Sequence, residues 1–155
     1  MMDAPLDYLG QILLVASVWV LPVLLAITFH EAAHGYVAWR LGDPTAKTLG
    51  RVTFNPLKHV DPVGTILLPG LLLLVRAPFL FGYAKPVPVN PSRLRDGRRS
   101  MALVAIAGPA ANFVMAIGWG ILLKVAIGVG ADAGIWLGLR YMAMAGITIN
   151  LILMV

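Results

Sequence analysis

The chain has 155 residues, of which 59% are hydrophobic and only 12% are charged. Soluble domains carry about a quarter charged residues, so this composition excludes an ordinary soluble domain and predicts a single membrane-embedded domain over residues 1–155. The net charge is +5, yet the basic residues lie between apolar segments without interleaved aromatics, which argues against a nucleic-acid partner, and the lack of cysteines excludes a thiolate metal site.

Four apolar segments follow one another along the chain. They lie at about Leu9–Trp39, Val63–Val75, Met101–Val129 and from Ala133 onward. The first exceeds the roughly 20 residues that cross a bilayer, and no Lys or Arg precedes it, so we predict a retained membrane helix rather than a signal peptide. The second is too short to span comfortably, and its Pro69-Gly70 pair should interrupt a regular helix.

The two polar connections, residues 40–62 and 76–100, are both basic. The positive-inside preference puts both in the cytoplasm, so the second apolar segment should be re-entrant or shallow. Arg51–Phe54 is a plausible short strand, and the alternating prolines of Lys85–Pro91 require an extended chain. We therefore predict an all-α polytopic protein with three spanning helices, a re-entrant segment and a small membrane-associated β element.

The chemistry-bearing residues lie in the first segment, in the motif His30-Glu31-Ala32-Ala33-His34. Histidines at i and i+4 share one helical face, so both imidazoles can hold one metal ion, and the neighbouring glutamate can take a proton from a metal-bound water. A buried structural histidine is the simpler alternative for either residue alone. Three ionisable groups within five apolar positions are costly in a membrane, however, and indicate a functional site.

A second motif opens the third segment, at Gly108-Pro109-Ala110-Ala111-Asn112. The predicted topology puts it at the same depth as His30. Asn112 has an amide that could bond a ligand or another helix. Considered alone, the motif is better explained as a small-residue packing interface with Asn112 as a link between helices.

Several motifs together carry a family resemblance. They are His30-Glu31-Ala32-Ala33-His34, Gly42-Asp43-Pro44-Thr45, Asn55-Pro56, His59-Val60-Asp61-Pro62, Gly82-Tyr83-Ala84-Lys85-Pro86-Val87-Pro88-Val89-Asn90 and the Gly-Pro-x-x-Asn of residues 108–112. The chain resembles the site-2 protease family of intramembrane metalloproteases, and the 82–90 motif is similar to that of its compact prokaryotic members.

The resemblance implies a zinc-dependent endopeptidase that hydrolyses peptide bonds in or near transmembrane segments of substrate proteins. One Zn²⁺ per chain would be held by His30 and His34, Glu31 would be the catalytic base, and Asn112 would help to place the substrate backbone. It also implies a multi-pass protein of the cell membrane with its active site toward the cytoplasm. Residues 49–54 would form a sheet edge that accepts the unwound substrate as a strand.

The third metal ligand of the family is an Asp in a Leu-Asp-Gly motif after the Asn-Leu of the last core helix. The sequence here contains Asn150-Leu151 but no Leu-Asp-Gly, so we expect a fragment cut just before this ligand. His59 and Asp61 are alternative ligands, although polar loop residues beside a proline turn are the simpler interpretation. Asp132 should lie on the opposite side of the membrane.

Two other functions stay open. A catalytically inactive membrane adaptor of the same family would explain the missing ligand, but it has no need of Glu31. A metal transporter would require acidic or histidine residues at several depths, whereas the sequence has one cluster. The basic stretch at Arg93–Arg99 predicts contact with anionic lipid.

Overall fold

The computed structural model describes residues 8–77, 82–129 and 134–155, and within these ranges every regular element is a helix. The α-helices are α1 (Tyr8–Arg40), α2 (Thr45–Thr48), α3 (Leu68–Leu74), α4 (Gly97–Gly128) and α5 (Gly134–Ile152). Short 3-10 turns lie at Pro56–Lys58 and Pro91–Arg93, and a π-helical turn, Pro62–Leu67, leads into α3.

Three helices, α1, α4 and α5, are long and apolar enough to cross a membrane, as expected for the three predicted spanning helices. Helix α1 has 33 residues and is about 50 Å long, more than the roughly 30 Å of a hydrocarbon core. The three helices pack against one another, and α4 runs antiparallel to α1, since His34 contacts Val104 while His30 contacts Asn112.

Small residues form the contacts between the long helices. Ala26 and Ala143 are fully buried, and the indole of Trp119 lies where a side chain on Gly146 would be, with ring atoms 2.3–2.5 Å from the position of an added Cβ. Small residues let helix backbones approach closely where the surrounding solvent is as apolar as the side chains. The bundle is therefore held by close packing of Gly and Ala rather than by a core of large side chains.

The second apolar segment forms a short helix from Pro62 to Leu74. Asp61 caps its start by accepting hydrogen bonds from the amides of Val63 and Gly64. The predicted break at Pro69-Gly70 is not observed, because the helix continues through both residues. The carbonyl of Gly64, in the turn before Pro69, instead accepts a hydrogen bond from the amide of Tyr83. The irregularity lies earlier, where the π-helical turn becomes α-helical.

The predicted strand at Arg51–Phe54 is wrong. These residues form bends, and within the described ranges they have no strand partner. The carbonyl of Thr53 instead accepts a hydrogen bond from Nε2 of the buried His59 at 3.0 Å, and the hydroxyl of Thr53 accepts one from the Asn55 amide. Because side chains use these groups locally, the sheet edge expected to receive a substrate strand is not formed in this part of the chain.

Candidate metal centre

The two histidines of the motif face each other on one side of α1. Their Nε2 atoms are 3.0 Å apart, and the ring centroids are 4.6 Å apart with the planes at 79°. Two nitrogens that bind one tetrahedral zinc at about 2.0–2.1 Å lie roughly 3.3 Å apart, so the observed separation is close to that of a bound pair. The i and i+4 spacing therefore directs both ring nitrogens at one point.

Helix α4 contacts the far side of each imidazole. Nδ1 of His34 donates a hydrogen bond to the carbonyl of Val104 at 2.6 Å, and this bond leaves the Nε2 lone pair of a neutral ring free for a metal. Nδ1 of His30 lies 3.2 Å from the side-chain nitrogen of Asn112. Groups on α4 thus orient both histidines through their Nδ1 atoms, on the ring side away from the paired Nε2 atoms.

Asn112 is fully buried, and its Oδ1 has no hydrogen-bond partner among the described residues. Turning the amide over would place Oδ1 against Nδ1 of His30, where it would accept a hydrogen bond and leave Nε2 of His30 unprotonated. The orphaned oxygen and the contact with His30 fit a residue that sets the tautomer of a metal ligand.

Gly108 leaves the space in front of the two nitrogens open. A Cβ at this position would lie 2.4 Å from Nε2 of His34 and 2.6 Å from Nε2 of His30, closer than real Cβ atoms approach other atoms. The glycine therefore keeps clear the point at which both lone pairs are directed. The residues present fit a metal ion, and a side chain on Gly108 would fill its place.

Glu31 is held by a different part of the chain. Its Oε2 accepts a hydrogen bond of 2.7 Å from the backbone amide of Val87, in the extended segment 82–90. Arg51 donates to the carbonyls of Lys85 at 2.6 Å and Pro86 at 3.3 Å, while the amide of Asn90 donates to Asp43 at 2.6 Å. Two buried charged side chains thus fix the segment on either side of its contact with Glu31.

Asp43 is a second buried carboxylate with well-defined partners. Burial raises its pKa, but hydrogen bonds from the Thr45 hydroxyl and from the amides of Asn90 and Thr45, together with the nearby Arg93, more than offset this effect. The pKa of Asp43 is therefore lower than its ordinary value, and the carboxylate is charged at neutral pH.

The alternative third ligands are committed to other contacts. His59 is fully buried and bonds the Thr53 carbonyl, and Asp61 caps the helix that starts at Pro62. Within residues 8–77, 82–129 and 134–155, no group of three His, Cys, Asp or Glu side chains is placed to hold a metal. Asp132 lies outside the described residues.

An apolar cavity of about 380 Å³ lies beside the motif. Phe29, Ala32 and Ala33 of α1 line it together with Phe54 and Ala111, and Phe29 stacks on Phe54 at a centroid distance of 4.6 Å. The same stretch of α1 thus carries the histidine pair and borders an apolar recess.

The backbone groups of this centre could not be predicted from the sequence. The Val87 amide and the Val104 carbonyl leave no side-chain signal at their positions. The glycine at 108 does leave one, because Gly is a poor helix residue and in a helix interior it marks close approach of a neighbour.

Comparisons with known proteins give relatives that are named putative zinc metalloproteases. Putative zinc metalloprotease YwhC of Bacillus subtilis is 42% identical over 136 residues, which cover 86% of this chain and 58% of that protein. Two proteins named Putative zinc metalloprotease Rip2 are 32% identical in Mycolicibacterium smegmatis and 31% identical in Mycobacterium tuberculosis, each over 93% of this chain and 52% of the relative.

The chain thus spans about half the length of the curated relatives it matches. No family model matches the chain, and no solved structure matches it.

Proposed function

We propose that this chain, which is related to the putative zinc metalloproteases YwhC and Rip2, is the core of an intramembrane endopeptidase of the site-2 protease family. Its substrates would be membrane proteins, cleaved in or near a transmembrane segment. The observation that carries the proposal is that the Nε2 atoms of both histidines point into the space left by Gly108. Glu31 lies on the same helical turn, directly after His30.

One zinc ion per chain would be held by His30 and His34, with a further protein ligand still to be identified. When bound, zinc supplies the Lewis acidity that lets a water lose its proton near neutral pH and that steadies negative charge on an attacked carbonyl oxygen. Val104 and Asn112 hold the outer nitrogens of the two imidazoles, so the inner nitrogens keep their direction.

Glu31 would take the proton from the attacking water and later give it to the leaving amine. Glu31 is the one glutamate of the sequence, and it directly follows His30. A substrate helix hides its peptide bonds, so the scissile bond has to be presented by a locally unwound stretch. The apolar recess beside Phe29 and Phe54 would take a side chain of that stretch.

The resemblance gave Asn112 a role in placing the substrate backbone. Its complete burial and its contact with His30 support a role behind the metal ligand, at a distance from the substrate. We therefore include Asn112 in the proposal as a residue that positions His30.

We further propose that the helix from Pro62 to Leu74 is re-entrant and that the metal centre faces the cytoplasm of a multi-pass cell-membrane protein. Two backbone contacts support re-entry: the amide of Tyr83 donates to the carbonyl of Gly64, and the amide of Lys85 donates to that of His59, each at 3.0 Å. These contacts place Tyr83 and Lys85, which follow the helix in sequence, beside the Pro62 end of the helix. Two basic connections on that same side agree with the positive-inside preference.

A catalytically inactive adaptor is the competing function. It would use the Gly and Ala faces of the bundle to bind partner helices, and it would need neither the open space at Gly108 nor the carboxylate of Glu31. Both features favour the protease.

The test is a comparison of the purified wild-type chain with Glu31→Gln. Each is incubated with detergent-solubilised bacterial membrane proteins, and new N-termini are identified by mass spectrometry. The proposal predicts new N-termini in or near transmembrane segments with the wild type and none with the variant. Identical sets of N-termini from both proteins would favour the adaptor.

A further inference from the structure

The segment from Gly82 to Asn90 has no role yet in the proposed reaction, although its sequence is unusual. Pro86 and Pro88 have no amide hydrogen, and both hold the chain extended. Of the three residues Pro86-Val87-Pro88, only Val87 has an amide hydrogen. The sequence thus isolates a single backbone donor in a stiff, extended chain.

That donor contacts the carboxylate on which the proposed reaction depends. The Val87 amide lies 2.7 Å from Oε2 of Glu31, and the valine side chain is only 8% exposed. A Cβ on Gly35, one helical turn beyond Glu31, would lie 3.1 Å from Cγ1 of Val87. The segment therefore packs tightly on α1 immediately beside the motif.

The neighbouring contacts keep the donor in place. Arg51 is 8% exposed and bonds the two carbonyls that directly precede Val87, whereas Asp43 is fully buried and bonds the amide of Asn90 three residues later. Each bond involves a charged side chain and a backbone group, the stronger kind of hydrogen bond. A mobile loop that only covered the site would not need two buried charges to fix it.

We infer that the backbone amide of Val87 is a positioning group for Glu31: it holds Oε2 and so directs the other carboxylate oxygen toward the attacking water. This inference rests on the proposed function, in which Glu31 is the base. A carboxylate on a flexible side chain has several rotamers, and a fixed donor on one oxygen removes that freedom before the reaction begins. The alternation of proline and valine is then a device that presents one amide to one carboxylate.

The test removes the amide hydrogen and keeps the chain extended. Val87→Pro does so between two existing prolines. The matched control is Val89→Pro, because the amide of Val89 makes no hydrogen bond to any described residue. Replacing Val87 by its α-hydroxy acid, which turns the amide into an ester and keeps the side chain, provides a second variant in case the proline disturbs folding.

The first readout does not depend on proteolysis. Glu31 is the only glutamate of the 155 residues, so ¹³C-labelled glutamate isolates the antisymmetric carboxylate stretching band of this one side chain in the infrared spectrum. The inference predicts that this band shifts in both Val87 variants and stays unchanged in Val89→Pro. An identical band in all four proteins would overturn the inference, whatever their activity.

The second readout is kinetic and uses a transmembrane peptide that contains a cleavage site found with the wild type. The inference predicts that the Val87 variants lose about tenfold in kcat, with KM and zinc content unchanged, because one hydrogen bond to a charged group is lost. A higher kcat in these variants would contradict it, since the segment would then restrain the base. In another outcome, the band depends on Val87 while the wild type cleaves no membrane protein at all. That result would overturn the proposed function and, with it, this role of the amide.

Discussion

The first half of α1 carries large apolar side chains that are exposed, whereas most of the buried residues of this helix lie in its second half and are small. Leu13 is 62% exposed and Leu21 is 47% exposed, but Ala26 and Ala38 are fully buried and Thr28 is 2% exposed. Both halves belong to one continuous helix, Tyr8–Arg40. The difference lies in side-chain size, and it determines where α4 comes close enough to contact the histidines.

The two halves of α1 therefore differ in how closely neighbouring segments can approach the helix. Large side chains in the first half suit contact with lipid, and small ones in the second half let backbone and side-chain groups of neighbouring segments reach the motif. The predictions below test this difference, either by closing the space at the motif or by altering each half of the helix in turn.

The largest effect is expected from Gly108→Ala. The new methyl group would lie within 2.6 Å of both Nε2 atoms, so it would occupy the place where the lone pairs meet. We expect zinc affinity to fall by more than about 100-fold, measured by competition with a chelating dye. Gly118→Ala on the same helix is the control, since a Cβ there meets nothing within 4 Å. Equal zinc affinity in the two variants would show that Gly108 does not border the metal.

Replacing Asn112 should have the next largest effect. Asn112→Leu removes the group behind His30, and loss of such a partner costs roughly 10–100-fold in metal affinity. Asn112→Asp keeps an oxygen that can accept from Nδ1 of His30, so it should bind zinc more tightly than the leucine variant. Isothermal titration with zinc would measure both. If leucine and aspartate bound zinc equally, the amide would have no role in orienting His30.

A substitution at Asp43 tests whether this carboxylate holds the 82–90 segment in place through the amide of Asn90. Its pKa is lowered in the folded state, so its contribution to stability is fully present above the unfolded pKa of about 3.9 and is lost as the pH falls through the lower folded value. Asp43→Asn should destabilise the protein by roughly 2 kcal/mol at neutral pH, because hydrogen bonds to a charged acceptor are weakened. It should also flatten the fall in melting temperature as the pH drops below the unfolded pKa of the aspartate.

Thermal unfolding in detergent across this pH range would measure the effect. Thr48→Ala, in the same polar connection, is a control, because its exposed hydroxyl bonds only the carbonyl of Thr45. A variant at Asp43 with the same pH profile as the wild type would contradict the assignment.

The last prediction concerns changes of side-chain size within α1 itself, the smaller of which should have almost no effect. Ala26→Leu should destabilise the bundle by about 1–3 kcal/mol, because the position is fully buried and offers no room. Leu14→Ala, at a position 58% exposed, should change stability by no more than about 0.5 kcal/mol. Melting temperatures in the same detergent give both values. Equal effects would mean that the two halves of the helix do not differ in packing.

The long helices could be predicted from sequence because apolar runs mark them directly. The structure begins α1 at Tyr8 and ends it at Arg40, within a residue of the predicted Leu9–Trp39. Helix α4 begins at Gly97, four residues before the predicted Met101, because its first turn contains Arg98 and Arg99 and so lacks the apolar signal. The antiparallel pairing that brings Asn112 to His30 followed from the predicted order of spans.

The local structure of the connections could not be predicted in the same way. Arg51–Phe54 has the composition of a strand, yet its groups are used by His59, Asn55 and the backbone of the 82–90 segment. The contact of Val87 with Glu31 joins residues 56 positions apart through a backbone amide, for which the side chain gives no signal. Such long-range backbone contacts depend on the whole fold.

The most direct test of the central claim is the zinc content per chain of the purified protein, measured by atomic absorption for the wild type, His34→Ala and His59→Gln. We predict about one zinc in the wild type and in His59→Gln, whose altered residue bonds the Thr53 carbonyl, and almost none in His34→Ala. Equal zinc in all three proteins, or none in the wild type, would contradict the assignment of His30 and His34 as a metal centre.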